Sequence, residues 1–135
     1  MPASQTDRAA RFRALHQGPG SFVIGNVWDA GSARVLAGLG FAALATSSGA
    51  SAGVLGRRDG AVTRDEALAH CRLIVDATDL PVSADLEKCF GDAPDVAAET
   101  IRLAAATGLA GGSIEDATGD KQKPLYDFAQ ATERV

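Results

Sequence analysis

The sequence predicts an α/β fold of the TIM-type β/α-barrel class, of which the chain carries the first four βα units, a half-barrel behind a leading helix. Three observations predict it. Strand and helix patterns alternate four times along the chain, polar residues follow every predicted strand, and no glycine-rich phosphate turn follows the first strand. An open doubly wound sheet, the competing architecture, usually carries such a turn. A complete barrel takes about 250 residues, so 135 residues amount to about half of one.

The first elements are separated by glycine and proline. Residues 1–20 are predicted to form a leading helix and a linker, and residues 21–135 the four βα units of a single domain. The predicted elements are a helix over 4–17, a strand over 22–27, a helix capped by Asp29 and ended by Gly40, and a strand over 41–47.

The second half begins with a predicted Gly- and Ser-rich loop over 48–62. Thr63 and Glu66 form a capping box for a helix that runs to about residue 78. A strand over 80–84 follows, and Asp92 is predicted to cap the next helix around Pro94. Residues 111–114 lead into a fourth short strand that ends in Glu115 and Asp116, and a last helix is predicted over 124–135.

Composition excludes several classes of function. The chain has a net charge of −4 and a pI of about 5.0, whereas nucleic-acid binders are normally basic. No apolar run approaches the roughly 18 residues that a membrane span requires, and the N-terminus lacks the apolar core of a secretory signal. Cys71 and Cys89 form no dense disulfide framework. These features predict a cytoplasmic protein that binds neither nucleic acid nor membrane.

Acidic residues follow neighbouring predicted strands. Asp85 and Glu87 are two positions apart, which on a strand places both carboxylates on the same side. Glu115 ends the next strand, and Asp59 lies in the loop after the second. Like charges held together are unfavourable unless a cation neutralises them. Only oxygen donors are present, which favours Mg²⁺, or Mn²⁺, over Zn²⁺; solvated loop acids are the alternative interpretation.

Five motifs occur in an order that resembles one protein family. They are Asn26-Val27-Trp28-Asp29-Ala30-Gly31-Ser32-Ala33, Ser47-Ser48-Gly49, Gly56-Arg57-Arg58-Asp59-Gly60, Val82-Ser83-Ala84-Asp85-Leu86-Glu87 continuing through Phe90-Gly91, and Ile114-Glu115-Asp116. Together they resemble the isocitrate lyase/phosphoenolpyruvate mutase superfamily, from about residue 22 to 135. The resemblance implies a β/α barrel and a Mg²⁺-dependent lyase or mutase. Such enzymes break or form a C–C or C–P bond of a small 2-oxo or 2-hydroxy acid through an enolate.

The resemblance also implies roles for particular residues. The metal would be held by Asp85, Glu87 and Glu115, with Asp59 as a supporting catalytic residue. The substrate carboxylate would be held by the turn that contains Thr46, Ser47, Ser48 and Gly49, with Ser47 as the second catalytic residue. Exposed N–H groups beside a glycine bend can form an anion site, although ordinary turn chemistry also explains these serines.

Three departures from the family pattern are visible. Cys89 stands where the family commonly has glycine, and its side chain is expected to add bulk near the metal. Residues 117–123 contain no cysteine or histidine, whereas isocitrate lyases carry a Cys-Gly-His loop there. The family's second half is absent, so we expect a homo-oligomer or a complementary second half as partner. A non-catalytic half-barrel that acts as an assembly or packing module is the alternative function.

Overall fold

The computed structural model describes residues 3–135, which form helices α1–α6 and strands β1–β4. In chain order these are α1 Gln5–Gln17, β1 Ile24–Asn26, α2 Ala30–Gly38, β2 Ala43–Ala45, α3 Ser48–Val54, α4 Arg64–Asp76, β3 Val82–Asp85, α5 Pro94–Ala105, β4 Gly111–Ser113 and α6 Phe128–Glu133. The strands are shorter than predicted: β1 and β2 pair only at the centre of their predicted runs, β3 begins at Val82 and extends to Asp85, and β4 ends at Ser113, before Glu115. No helix within residues 3–135 is long and apolar enough to cross a bilayer.

The four strands form one parallel sheet in the order β1-β2-β3-β4. Ile24 pairs with Ala43, Leu44 with Val82, and Asp85 with Ser113. Strand order therefore follows chain order without the reversal that defines a doubly wound sheet. This topology confirms the prediction of four consecutive units of a β/α barrel.

The core lies between the sheet and the helices that cover it. Leu44, Val82 and Ala84 are buried on the strands, and Ile74 and Val75 of α4 pack in the same cluster. Burial of apolar surface, at about 25 cal/mol per Å², is the main force that fixes the helices on the sheet. The strand ends, where polar side chains begin, are consequently held on a rigid base.

Three helix starts agree with the sequence. Ser4 caps α1, Asp29 caps α2 and Thr63 caps α4, each in a reciprocal capping box. Such a box satisfies two backbone N–H groups that the first helical turn leaves without partners.

Three other predictions were wrong. Residues 48–54 of the predicted loop form α3, because the Ser47 hydroxyl accepts from the Ala50 N–H and the short helix buries its alanines. Asp92 does not cap α5, since its carboxylate bonds Lys88 and Tyr126 instead. The last helix begins only after Asp127, which caps it.

Candidate metal and substrate site

The acidic residues gather at the carboxyl ends of β3 and β4. Asp85 is the last residue of β3 and pairs with Ser113, the last residue of β4. Glu115 follows two residues later, and its N–H donates to the Glu87 carbonyl oxygen at 2.8 Å. The expectation that Glu115 lies beside Asp85 and Glu87 is met because the two strands are neighbours.

Asp85 is held in place by three hydrogen bonds. Its Oδ2 accepts from the Ser48 N–H at 2.9 Å, and its Oδ1 accepts from the Glu87 N–H at 3.0 Å. Its own N–H donates to Thr46 Oγ1 at 3.1 Å. The carboxylate is therefore fixed by the turn after β2 and the turn after β3, which leaves it little rotational freedom.

Glu87 lies beyond the strand rather than on it. Its φ is +50°, in the left-handed region, so the two-residue strand period does not orient its side chain. Burial is the first cause that raises the pKa of the half-buried Glu87 carboxyl, followed by the charges of Asp59, Asp85 and Glu115. The structure thus brings Glu87 to the other acids through a turn.

Glu115 and Asp59 complete the group. Burial first, then the charges of Asp85 and Asp59, raise the pKa of the Glu115 carboxyl. Asp59 Oδ1 accepts from the Gly60 N–H at 3.1 Å. Its Oδ2 lies close to Gly49, where a Cβ atom would stand 3.6 Å away. Asp59 therefore links the acidic group to the turn at Ser47–Gly49.

This turn has structural hydrogen bonds of its own. Thr46 is buried and accepts from the Asp85 N–H, and Ser47 Oγ accepts from the Ala50 N–H at 3.4 Å. The Ser48 N–H is bonded to Asp85. Local turn chemistry accounts for the bond between Ser47 and Ala50, whereas the other two bonds join the turn to Asp85 and place it directly beside the acids.

The donor chemistry fits a hard divalent cation. All four acids offer carboxylate oxygens, and unfavourable repulsion among them would be relieved by positive charge. Among residues 3–135, no three His, Cys, Asp or Glu side chains lie close enough together to hold an ion between them. The acids are near enough for their charges to add to burial in raising the pKa of Glu87 and Glu115, but they do not form a closed ligand cage.

An open cleft adjoins the acidic group. It has a volume of about 570 Å³, and its walls include Gly60, Val62, Glu87 and Phe90. Parallel β/α barrels bind their substrates at this end of the sheet, in the loops that follow the strands. The cleft is therefore placed where a small acid could reach Glu87.

Cys89 does not lie at the acids, contrary to the sequence-based expectation. Its side chain is fully buried in the core cluster with Leu86 and Ala97, and burial raises the pKa of its thiol. The structure also shows a group that sequence reasoning missed, in which Tyr126 and Arg134 bond the turn after Glu87. No local pattern could have found it, since Arg134 and Lys88 are 46 positions apart.

The four-stranded parallel sheet, with acidic residues at the ends of its strands, places the chain in the class of β/α-barrel proteins that carry an acidic site. Comparison with known proteins narrows this class. The family model described as phosphoenolpyruvate phosphomutase matches residues 12–135. The chain belongs to this family, within the PEP mutase/isocitrate lyase superfamily.

Similar proteins include two curated enzymes. One is 2,3-dimethylmalate lyase from Eubacterium barkeri, 37% identical over 80% of this chain and 38% of the relative. Another is oxaloacetate decarboxylase from Bradyrhizobium diazoefficiens, 35% identical over 81% of this chain and 38% of the relative. The chain thus spans well under half the length of these relatives.

A solved structure from Burkholderia cenocepacia J2315, provisionally named a lyase/mutase, superposes closely. Its TM-score is 0.93 at 55% sequence identity, and the match covers 96% of this chain and 46% of that one. The likeness extends the half-barrel assignment to nearly every residue of the chain.

Proposed function

We propose that the protein is a Mg²⁺-dependent lyase, with Mn²⁺ as a substitute ion, that acts on a small 2-oxo or 2-hydroxy acid through an enolate. The observation that carries this proposal is the meeting of Asp59, Asp85, Glu87 and Glu115 at the strand ends, where burial first, and then the charges of the neighbouring acids, raise the pKa of Glu87 and Glu115. The two buried, free cysteines suit the reducing cytoplasm in which we expect it to work.

The names of the curated relatives support the substrate class. Dimethylmalate is a 2-hydroxy acid and oxaloacetate is a 2-oxo acid. In a 2-oxo acid, loss of a carbon fragment beside the carbonyl would leave the negative charge on the carbonyl oxygen as an enolate. In a 2-hydroxy acid, cleavage would turn the hydroxyl-bearing carbon into a carbonyl and leave the charge on the departing fragment, as an enolate of its carboxylate. We therefore favour C–C bond cleavage over the C–P chemistry of a phosphomutase.

In this proposal Asp85, Glu87 and Glu115 hold the ion, and Asp59 supports it from the side of Gly49. The ion, when bound, supplies the positive charge that stabilises an enolate oxygen. Asp85 is already oriented by the Ser48 and Glu87 N–H groups, so its position need not be found anew when the ion binds.

The substrate carboxylate is assigned to the turn formed by Thr46, Ser47, Ser48 and Gly49. Its contact with Asp85 sets the distance between the carboxylate-binding groups and the ion-binding groups. A substrate could then be held by its carboxylate at the turn and by its 2-oxo or 2-hydroxy oxygen at the ion. Such a fixed orientation lowers the entropic part of the activation barrier.

Replacement of Asp85 by Asn tests the metal site. The change removes one charge and keeps the shape, so Mg²⁺ and Mn²⁺ affinity should fall by about tenfold or more. Asp76→Asn, at the exposed end of α4, is the matched control and should bind as the wild type does. Calorimetry measures both. Equal Mg²⁺ affinity in the Asp85 variant and the wild type would contradict the assignment. If the wild type turns over none of a panel of 2-oxo and 2-hydroxy acids, with or without added metal ion, the non-catalytic module would be favoured.

Specificity gives a second test. Residues 117–123 contain no cysteine or histidine to act as the acid that isocitrate lyases use. We therefore expect no cleavage of isocitrate or methylisocitrate, even where other acids are turned over. Release of glyoxylate or pyruvate from these two substrates at ordinary enzyme rates would refute this expectation.

A further inference from the structure

The turn after β3 has an unusual backbone. Glu87, Cys89 and Phe90 have φ values of +50°, +57° and +61°, and none of them is glycine. L-residues avoid this left-handed region because the Cβ atom crowds the backbone. Three such residues within four positions persist only when surrounding contacts hold them.

Arg134 supplies contacts of this kind. Its Nη1 donates to the carbonyl oxygens of Gly91 at 2.8 Å and Asp92 at 2.6 Å, and its Nη2 donates to that of Lys88 at 2.5 Å. The guanidinium also lies over the Tyr126 ring, 4.5 Å from its centroid. Arg134 is only 7% exposed, so these bonds are made largely out of water.

The same turn is bonded through its side chains. Tyr126 donates its hydroxyl to Asp92 Oδ1 at 2.6 Å, and Lys88 Nζ donates to the same oxygen at 2.7 Å. Lys88 Nζ also donates to the Thr118 carbonyl oxygen at 2.8 Å. The Arg134 network, defined as Lys88, Asp92, Tyr126 and Arg134, thus joins the turn after β3 to the segment that begins at residue 117.

We propose that Arg134 is a positioning residue that holds the 87–92 turn in its left-handed conformation and so places the Glu87 carboxylate beside Asp85. The planar guanidinium donates to three carbonyl oxygens from two nitrogens at a fixed spacing, whereas a lysine would have to reach all three from a single nitrogen. Without it the turn relaxes toward ordinary φ values, and Glu87 leaves the acids. The inference rests on the proposed function only in taking Glu87 as a metal ligand.

Hydrogen exchange tests the backbone part of the proposal. The N–H groups of Glu87 and Cys89 are bonded to Asp85 Oδ1 and the Leu86 carbonyl, whereas the Leu44 N–H is bonded within the sheet. In Arg134→Gln, the Glu87 and Cys89 amides should exchange faster by about tenfold or more relative to the Leu44 amide. Arg134→Lys should fall between this variant and the wild type.

Arg8→Gln is the matched control. Arg8 is also 7% exposed and also donates to two carbonyl oxygens, those of Val75 and Thr78, but at the end of α4. It should destabilise the fold without a selective effect on the turn. If Arg134→Gln raises exchange at Glu87 and Cys89 no more than Arg8→Gln does, the proposal is wrong.

Tyr126→Phe keeps the ring under Arg134 and removes one hydrogen bond to Asp92, so it tests the network where Arg134→Gln does not fold. It should raise exchange at Glu87 selectively but by less, and an unchanged turn would then count against the proposal.

Mn²⁺ titration followed by electron paramagnetic resonance adds the functional readout. Weaker Mn²⁺ binding is expected in Arg134→Gln and not in Arg8→Gln. Failure of the wild type to bind Mn²⁺ would contradict the proposed function, while the exchange comparison would still decide the role of Arg134.

Discussion

Cys89 combines a backbone angle that favours glycine with a fully buried side chain. Its φ is +57°, and its thiol lies in the core cluster. The resemblance to a family with glycine at this position predicted only added bulk near the metal and did not indicate that the backbone is left-handed here. It did not indicate the direction of the side chain, because that depends on how α5 packs over the turn.

We expect the free energy of unfolding of Cys89→Gly to exceed that of Cys89→Ala by about 1 kcal/mol. Both variants lose the thiol, but only glycine removes the strain of a left-handed residue. The order is the reverse of that in helices and strands, where alanine is the better residue. Urea denaturation measures the difference, and a more stable alanine variant would show that strain at Cys89 is negligible.

Gly91 and Gly38 make opposite predictions. A Cβ atom at Gly91 would stand 2.5 Å from Val96 Cγ1, so Gly91→Ala should cost about 1–3 kcal/mol through overpacking. At Gly38, the exposed last residue of α2, no neighbour lies within 4 Å. Gly38→Ala should therefore stabilise the protein by up to about 1 kcal/mol. The Tm values of the two variants should shift in opposite directions. A lowered Tm in Gly38→Ala would contradict the conclusion that position 38 has room for a Cβ atom.

The acids show how far residue-level reasoning extends. Asp85 and Glu115 could be placed together from sequence, because parallel neighbouring strands end at one edge. Glu87 could not be placed by strand alternation, since the strand ends at Asp85 and the chain turns left-handed. The conclusion of proximity held because the turn, rather than the strand, brings Glu87 back to its neighbours.

At the scale of secondary-structure elements, the caps at Asp29 and Thr63 were predictable, whereas the start of α5 and the short helix α3 were not. The boxes at Ser4, Asp29 and Thr63 consist of local contacts, so the local sequence specifies them. Helix α3 contains two glycines and two serines, which have low helix propensity. It forms because its alanines are buried against the rest of the fold, which is information that the local sequence lacks.

The start of α4 gives a prediction for pH. The hydrogen bond from Arg57 at 2.7 Å, followed by those from the Thr63 N–H and hydroxyl, lowers the pKa of Glu66 from 4.5 to about 2. A depressed carboxyl pKa stabilises the fold fully above pH 4.5. This contribution is lost as the pH falls through about 2.

We therefore expect Glu66→Gln to lower the Tm at pH 7, and the difference from wild type to shrink as the pH falls from 4.5 to about 2. Asp65→Asn, which removes the same charge one position earlier, is the control and should have the smaller effect at pH 7. Calorimetric scans across this range check it. A difference that grows on acidification would reverse the sign and exclude the Arg57 contact as its cause.

For the whole molecule, the strand order was predictable because the alternation of strands and helices and the polar residues at the strand ends are both visible in the local sequence. The Arg134 network was not, since the bonds that Tyr126 and Arg134 make to the turn join residues 34 to 46 positions apart. Long-range polar contacts leave no periodic pattern, and so they become visible only once the sheet and helices are assembled.

The open sheet makes a last prediction, about association. Within residues 3–135, β1 and β4 each pair along one edge only. Val23 beside β1 and Leu39 after α2 are each 70% exposed, and both line an apolar groove with Phe41. Unpaired edges and exposed apolar side chains favour pairing with another chain. We expect the 135-residue chain to sediment as a dimer or larger species, as a homo-oligomer or with a complementary half. Leu39→Lys should shift this species toward the monomer. Arg34→Lys, at an exposed position of α2, is the control and should leave the sedimentation unchanged. A sharp monomer boundary in analytical ultracentrifugation, with edge-strand amides as protected from exchange as those of β2, would refute this prediction.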